Sequence, residues 1–149
     1  MNKRKFLVIG DTGVVGAFLV RLLVADGHHV VVIDKRAAPG EHWVMDAAEL
    51  TGQGAHLLAD TDALIFALPE LTALDVLARC AGHTRENFWL INTCSIQRPF
   101  QDLAAEICPS AVSVGINPMF SPKLDCAGRP VVVCEDGHRQ GKCSRACCA

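Results

Sequence analysis

The sequence contains no tyrosine. Any chemistry that passes a proton through a phenol hydroxyl is therefore excluded by composition. It also lacks a long apolar run: nothing approaches the ~20 residues of a membrane-spanning helix. The basic trio Lys3, Arg4 and Lys5 imitates the start of an export signal. The apolar run behind it, Phe6 to Ile9, is far shorter than the roughly 7–15 residues such a signal needs. The expectation is a cytoplasmic protein with no membrane association. There is no excess of either charge. A net charge of −2 argues against a general nucleic-acid binder, and the basic trio reads as a solvated entry to a strand. Finally, the eight cysteines lack paired metal-ligand spacing. Cys80, Cys94, Cys108, Cys126 and Cys134 are scattered beside apolar residues and read as small buried hydrophobes. Cys143, Cys147 and Cys148 cluster, but C-x3-C-C without a second ligand pair is a poor zinc match, so no metal is expected.

What is present fits one globular domain. The chain has 149 residues, of which 50% are hydrophobic and 20% charged. A domain of this size buries roughly 70% of its unfolded surface. Apolar runs alternate with helical patterns from the start. Strands are expected at Lys5–Ile9, Val30–Ile33, Ala55–Leu58, Ala63–Leu68, Phe88–Asn92, Ala111–Gly115 and Pro130–Cys134. Helices are expected at Val14–Ala25, from Pro69 to about Cys80, and at Arg98–Glu106. Strands that are apolar throughout and separated by helices indicate a mainly parallel sheet covered on both faces. With right-handed crossovers this is an α/β, Rossmann-type, doubly wound, three-layer αβα fold. Residues 1–136 form the domain. Residues 137–149, which lack periodicity, read as an irregular Cys-rich tail.

The first expected strand runs into Gly10-Asp11-Thr12-Gly13-Val14-Val15-Gly16 and then a helix. Gly10 and Gly13 allow a tight turn and close backbone approach to a pyrophosphate. Gly16 allows the helix to pack near the sheet, and the helix N-terminus offers N–H groups to the phosphates. The strand before and helix after make the glycine pattern specific. Asp34 ends the second strand, about 20 residues past the glycines, where an acid accepts hydrogen bonds from the adenosine ribose. That favours NAD. Lys35 and Arg36 follow at once and admit NADP. Leu68 and Pro69 end another strand and are expected to line the same cleft, since ligands sit at the carboxyl ends of strands in open α/β sheets.

Two resemblances extend this reading. Residues 10–34, GDTGVVGAFLVRLLVADGHHVVVID, resemble the opening of an extended short-chain dehydrogenase. That family works through a Tyr-x-x-x-Lys pair, which a chain without tyrosine cannot supply. The later chain resembles the prephenate and arogenate dehydrogenases of tyrosine synthesis. The glycine turn carries part of this likeness. Leu90-Ile91-Asn92-Thr93-Cys94-Ser95-Ile96-Gln97 is similar to that family's strand ending in Asp-x-x-Ser-x-Lys. Gly115-Ile116-Asn117-Pro118-Met119-Phe120-Ser121-Pro122 is similar to its His-Pro-Met-Phe-Gly-Pro. Residues 128–134 fit the strand that follows.

The resemblance implies an NAD(P)-dependent oxidoreductase that oxidatively decarboxylates a small cyclohexadienyl acid in aromatic amino acid biosynthesis. It implies catalytic roles for Ser95, which matches the family serine, and for position 117. There the family has a histidine base and this chain has Asn117; Gln97 replaces the family lysine. An amide is no base near neutral pH. Three readings follow. The substrate is a 4-amino-4-deoxyprephenate-like acid whose amine Asn117 orients. Or the protein binds cofactor without turnover. Or it is an interaction subunit, a homodimer or a companion to a chain that carries the family's helical C-terminal domain, which has no counterpart in these residues. A redox-sensing Rossmann domain with Cys94 as its thiol is a further alternative. Arg98 and Arg129 are candidate carboxylate partners that read better as surface arginines. His28 and His29 lie far from the nicotinamide end, and His138 is the histidine that could replace the missing base. Met119 and Phe120 either shape the substrate side or pack in the core.

Overall fold

The computed structural model describes residues 2–10, 13–37, 40–121, 123–124, 127–135 and 144–147. Eight strands and four helices are present among them: β1 Lys5–Ile9, α1 Val14–Ala25, β2 His29–Asp34, β3 His42–Val44, α2 Ala55–Ala59, β4 Ala63–Phe66, α3 Glu70–Cys80, β5 Trp89–Asn92, α4 Arg98–Ile107, β6 Val112–Pro118, β7 Pro130–Glu135 and β8 Ser144–Cys147. The strands form one sheet in the order β3-β2-β1-β4-β5-β6-β7-β8. β1 to β6 pair in parallel, while β7 and β8 add antiparallel at one edge. The mainly parallel Rossmann-type fold expected from the sequence is the one observed.

The period of two along each strand divides the core. Leu7, Ile9, Val31, Ile33, Leu64 and Phe66 face α2, α3 and α4, where the Phe66 and Phe100 rings meet edge to face at 5.0 Å. Phe6, Val8, Val30, Val32, Ala63 and Ile65 face the other way, where Phe18 and Leu19 of α1 cover them. Strands buried on both faces need side chains that are apolar at every position, which is why β1, β2 and β4 read as unbroken hydrophobic runs. Each large side chain fully buried here contributes roughly 1.5–3 kcal/mol.

Several boundaries differ from the expectation. Ala55–Leu58 is no strand but opens the single-turn helix α2. Leu57 and Leu58 are buried against the sheet, and Thr61 donates its hydroxyl proton to the Leu57 carbonyl at 2.6 Å. Four residues, with His56 among them, are too few to show a period that separates the two. β3 was not expected; its three residues, only half-buried or exposed, pair at the sheet edge with Val32, Ile33 and Asp34. β6 runs past the expected end at Gly115 to Pro118, so Asn117 and Pro118 lie in the strand. β7 pairs with them antiparallel, Asn117 with Val132 and Pro118 with Val131, and β5 has already ended opposite Gly115, so the N–H that Pro118 lacks is not needed on that side. In the segment expected to be irregular, Ser144–Cys147 forms the edge strand β8 on β7.

Candidate functional site

β1 ends at Ile9 and the backbone turns at Gly10, where φ is +88°. The Gly10 N–H donates to the Ile33 carbonyl of β2 at 2.8 Å, and Ala67 N–H donates to the Ile9 carbonyl at 2.9 Å. The turn is thus pinned between β2 and the end of β4. Gly13 caps α1 with extended backbone and no side-chain cap. A Cβ at Gly13 would meet nothing within 4 Å. The α1 N-terminus therefore opens onto free space, with first-turn N–H groups that lack intrahelical partners. Gly16 is buried on α1. Asp11 and Thr12 lie outside the described residues.

A cleft of about 330 Å³ lies beside this turn. Gly10 and Gly13 form one wall, Asp34, Lys35 and Arg36 another, and Ala67, Leu68 and Pro69 a third. It sits at the carboxyl ends of β1, β2 and β4, where the chain departs to α1 on one face and α3 on the other. The structure thus brings seven of the expected cofactor residues around one space. Val14, Val15 and Gly16 do not line it. They belong to α1, with Val15 packed toward the core.

The cleft also has a side the sequence reading missed: Met45, Asp46, Ala47 and Thr72. Asp46 starts a short 3-10 turn over Ala47–Glu49, and its Oδ1 accepts from Ala48 N–H at 3.0 Å. Its Oδ2 lies 2.8 Å from Lys35 Nζ. The hydrogen bond from Lys35, reinforced by the Ala48 N–H, holds the Asp46 carboxyl below the usual carboxylate range; the same bond raises the Lys35 amine. Asp46-Ala-Ala-Glu49 has the acid-x-x-Glu spacing of a capped turn, the one signal that marked it. Asp34 Oδ1 accepts from the Arg36 N–H at 3.0 Å.

The second expected cluster forms at the ends of β5 and β6. These strands pair with Asn92 opposite Gly115, so Ser95 and Asn117 both lie just beyond that pair. Ser95 is exposed and Asn117 half-buried. Asn92 is fully buried and accepts from Cys94 N–H at 3.1 Å, closing the turn that presents Ser95. Gln97 crosses over Gly115 and donates its amide proton to the Cys94 carbonyl. Position 115 has no room for a side chain while Gln97 lies there. Cys94 is buried, and burial followed by nearby Glu70 pushes its thiol pKa up. That is the reverse of a reactive cysteine's environment.

Other candidates fall elsewhere. Phe120 packs edge to face on Phe18 at 5.6 Å, on the α1 side of the core, while Met119 is exposed. Arg98 pairs with Asp102 along its own helix. His28 meets Asp26 at 3.2 Å and His29 meets Glu41 at 2.6 Å, both at the start of β2 and so at the opposite end of the sheet from the cleft. His138, Cys126, Cys143 and Cys148 lie outside the described residues.

Residues 6–93 match the family model described as the NAD dependent epimerase/dehydratase family. A 4-amino-4-deoxyprephenate dehydrogenase from Streptomyces pristinaespiralis is 34% identical over 137 residues, 88% of this chain and 46% of that one. The T-protein of Haemophilus influenzae is 26% identical over 133 residues, 89% of this chain and 32% of that one. The chain belongs to the NAD dependent epimerase/dehydratase family and is a prephenate dehydrogenase-family NAD(P)-binding domain. It spans about half or less of the length of these two relatives. The crystal structure of prephenate dehydrogenase from A. aeolicus with hydroxyphenyl propionate and NAD+ superimposes with a TM-score of 0.61 at 15% identity, over 80% of this chain and 43% of that one. At that identity it shows a shared fold. The family model stops at Thr93, before the Asn117 segment. The short-chain Tyr-x-x-x-Lys pair remains excluded, because the chain has no tyrosine. Among the described residues no helix is long and apolar enough to cross a membrane.

Proposed function

We propose that the cleft binds NAD and that the chain serves the oxidative decarboxylation of a 4-amino-4-deoxyprephenate-like acid. The observation that carries the first half is the convergence of Gly10, Gly13 and Asp34 on one cleft. The residues fit a dinucleotide. Gly13 leaves open the space a Cβ would narrow, which suits a pyrophosphate at the α1 N-terminus. The Asp34 carboxylate, at the end of β2, suits the adenosine ribose hydroxyls and so favours NAD over NADP. Bound NAD would supply the hydride acceptor.

Asn117 supports the second half, together with the likeness to the Streptomyces pristinaespiralis enzyme. A 4-hydroxy substrate is helped by a base that takes the hydroxyl proton. A 4-amino substrate drives hydride loss with its nitrogen lone pair. The C–H electron pair at the nitrogen-bearing ring carbon leaves as hydride and an iminium forms. The carboxylate at the opposite ring carbon then departs as carbon dioxide. Its bonding pair flows into the ring and gives a neutral aromatic amine; the ammonium form of the substrate first releases one proton to solvent, and the free amine then reacts with no further proton transfer. Asn117 needs only to accept a hydrogen bond from the amine, and Ser95, at the neighbouring strand end, orients the same region.

Calorimetric titration of the purified chain with NAD+, followed by an assay of cofactor reduction, tests both halves. The expected result is NAD+ binding and reduction with 4-amino-4-deoxyprephenate well above that with prephenate. Binding without reduction by either acid would leave a cofactor-binding protein and remove the catalytic half. Absence of binding would remove both.

A second reading concerns partners. Leu71, Ile96 and Met119 are 81%, 61% and 58% exposed. They follow the carboxyl ends of β4, β5 and β6, the side on which substrate must arrive. Such a rim suits cover by a second copy or by a chain carrying a helical domain. Light scattering on the purified chain and on its native complex checks this; monomers in both would remove it.

A further inference from the structure

We propose that Asp46 sets the choice between NAD and NADP by holding Lys35 away from the ribose 2′ position. This deepens the reading above and rests on the cleft being the dinucleotide site. Lys35 and Arg36 are the cations that a 2′-phosphate would need, and both line the cleft beside Asp34. Yet Lys35 Nζ is held 2.8 Å from Asp46 Oδ2. The holding group is itself anchored. Asp46 Oδ1 accepts from Ala48 N–H at 3.0 Å, and the Met45 N–H donates to the Asp34 carbonyl at 3.0 Å. Asp46 therefore projects from a fixed backbone position beside the end of β2.

The consequence for ligand choice follows from charge. A 2′-hydroxyl donates to Asp34 and requires no cation. A 2′-phosphate brings an additional charge of about −1.5 to −2 into a corner that already holds the Asp34 and Asp46 carboxylates. Of its two counter-charges, Lys35 must first leave Asp46. The pair is exposed, so the penalty is that of a surface ion pair, about threefold to fivefold in affinity at low salt.

The test is calorimetric titration at low ionic strength with NAD+ and NADP+ on wild type, Asp46→Asn, Lys35→Ala and the double variant. Asparagine retains the Oδ1 cap on Ala48 and removes the charge that binds Lys35. Wild type is expected to prefer NAD+. Asp46→Asn is expected to raise NADP+ affinity relative to NAD+ about threefold to fivefold. In the Lys35→Ala background the same change should give no gain. An unchanged NAD+/NADP+ ratio in Asp46→Asn, a gain that survives loss of Lys35, or a wild type that prefers NADP+ would each overturn the proposal and leave the cleft assignment standing. If no variant binds either dinucleotide, the assignment of the cleft falls first and this inference with it. Matching melting temperatures for wild type and Asp46→Asn confirm that the comparison is between folded proteins.

Discussion

A Cβ built on Gly10 would lie 2.6 Å from the carbonyl oxygen of Ala67. Two strands, β1 and β4, converge there so closely that only a hydrogen fits between them. A Cβ on Gly13, three residues on, would meet nothing within 4 Å, and φ there is an ordinary −77°. Gly10 thus serves the fold, while Gly13 is left open to the proposed ligand. Gly10→Ala should destabilise the protein by about 2–4 kcal/mol, combining strain at positive φ with an overpacked contact. Gly13→Ala should leave the melting temperature within a few degrees. It should weaken NAD+ binding by about tenfold or more, because the added methyl stands where the phosphates approach. Thermal melts and calorimetry on the pair separate these roles. Equal loss of stability in both variants would contradict the division.

The contrast between those glycines also shows what was legible in the sequence. The G-x-x-G-x-x-G turn, Asp34 and the apolar strands could be read because local pattern and global position agree there. Met45 and Asp46 could not. They reach the cleft only because β3 pairs with the end of β2, and β3 is a three-residue edge strand without apolar alternation. The Ala55–Leu58 run misled for the opposite reason: it is apolar enough for a strand and too short to show a helical period. Gln97 was visible as a departure from the family's lysine. Its packing over Gly115 was not, because that depends on the start of α4 lying over β6.

Asp62 joins the start of β1 to the loop before β4. Its Oδ2 accepts from Lys5 N–H at 2.6 Å, and Arg85 pairs with Oδ1. The Lys5 backbone N–H is the main cause holding its carboxyl below the ordinary value, with the Arg85 charge adding to it. A carboxyl lowered in the folded state contributes stability above its unfolded pKa, and that contribution is lost as pH falls through the folded value. Asp62→Asn should therefore cost about 1–2 kcal/mol at neutral pH. The gap between variant and wild type should stay constant down to about pH 5 and close in more acid solution. Urea melts from pH 7 to pH 3 measure it. A gap that widens toward low pH has the wrong sign for this account.

The buried thiols bear on whether cysteine chemistry plays any part. Burial pushes Cys80 up to about 12 and raises Cys94 and Cys108 as well. Thiolate is the reactive form, so these three should resist alkylation in the native state at neutral pH. Cys134, half-buried on β7, should react ahead of them. Brief labelling followed by peptide mapping reads each site separately. Rapid native labelling of Cys94 would revive the redox-sensing alternative.

If the proposed reaction holds, Asn117 divides the two substrate classes. It lies two residues beyond Gly115, in the stretch of β6 that pairs with β7 and past the point where β5 has ended. That strand pairing fixes its backbone, so a histidine introduced there starts from the same position. If Asn117 only orients an amine, Asn117→His should leave NAD+ affinity unchanged, since no part of the dinucleotide cleft includes it. It should lower turnover of the 4-amino acid by removing the matched acceptor. It should raise turnover of prephenate by up to about 10²-fold, the lower range of what a general base contributes. The gain should appear as pH rises through about 6.5, where an unperturbed imidazole loses its proton and becomes a base. Asn117→Ala separates the two effects, because it removes the orienting amide without supplying a base. It should depress the 4-amino reaction and leave prephenate turnover at the wild-type level. A prephenate rate that rises equally in the alanine and histidine variants would show that space at position 117, rather than proton transfer, limits that reaction.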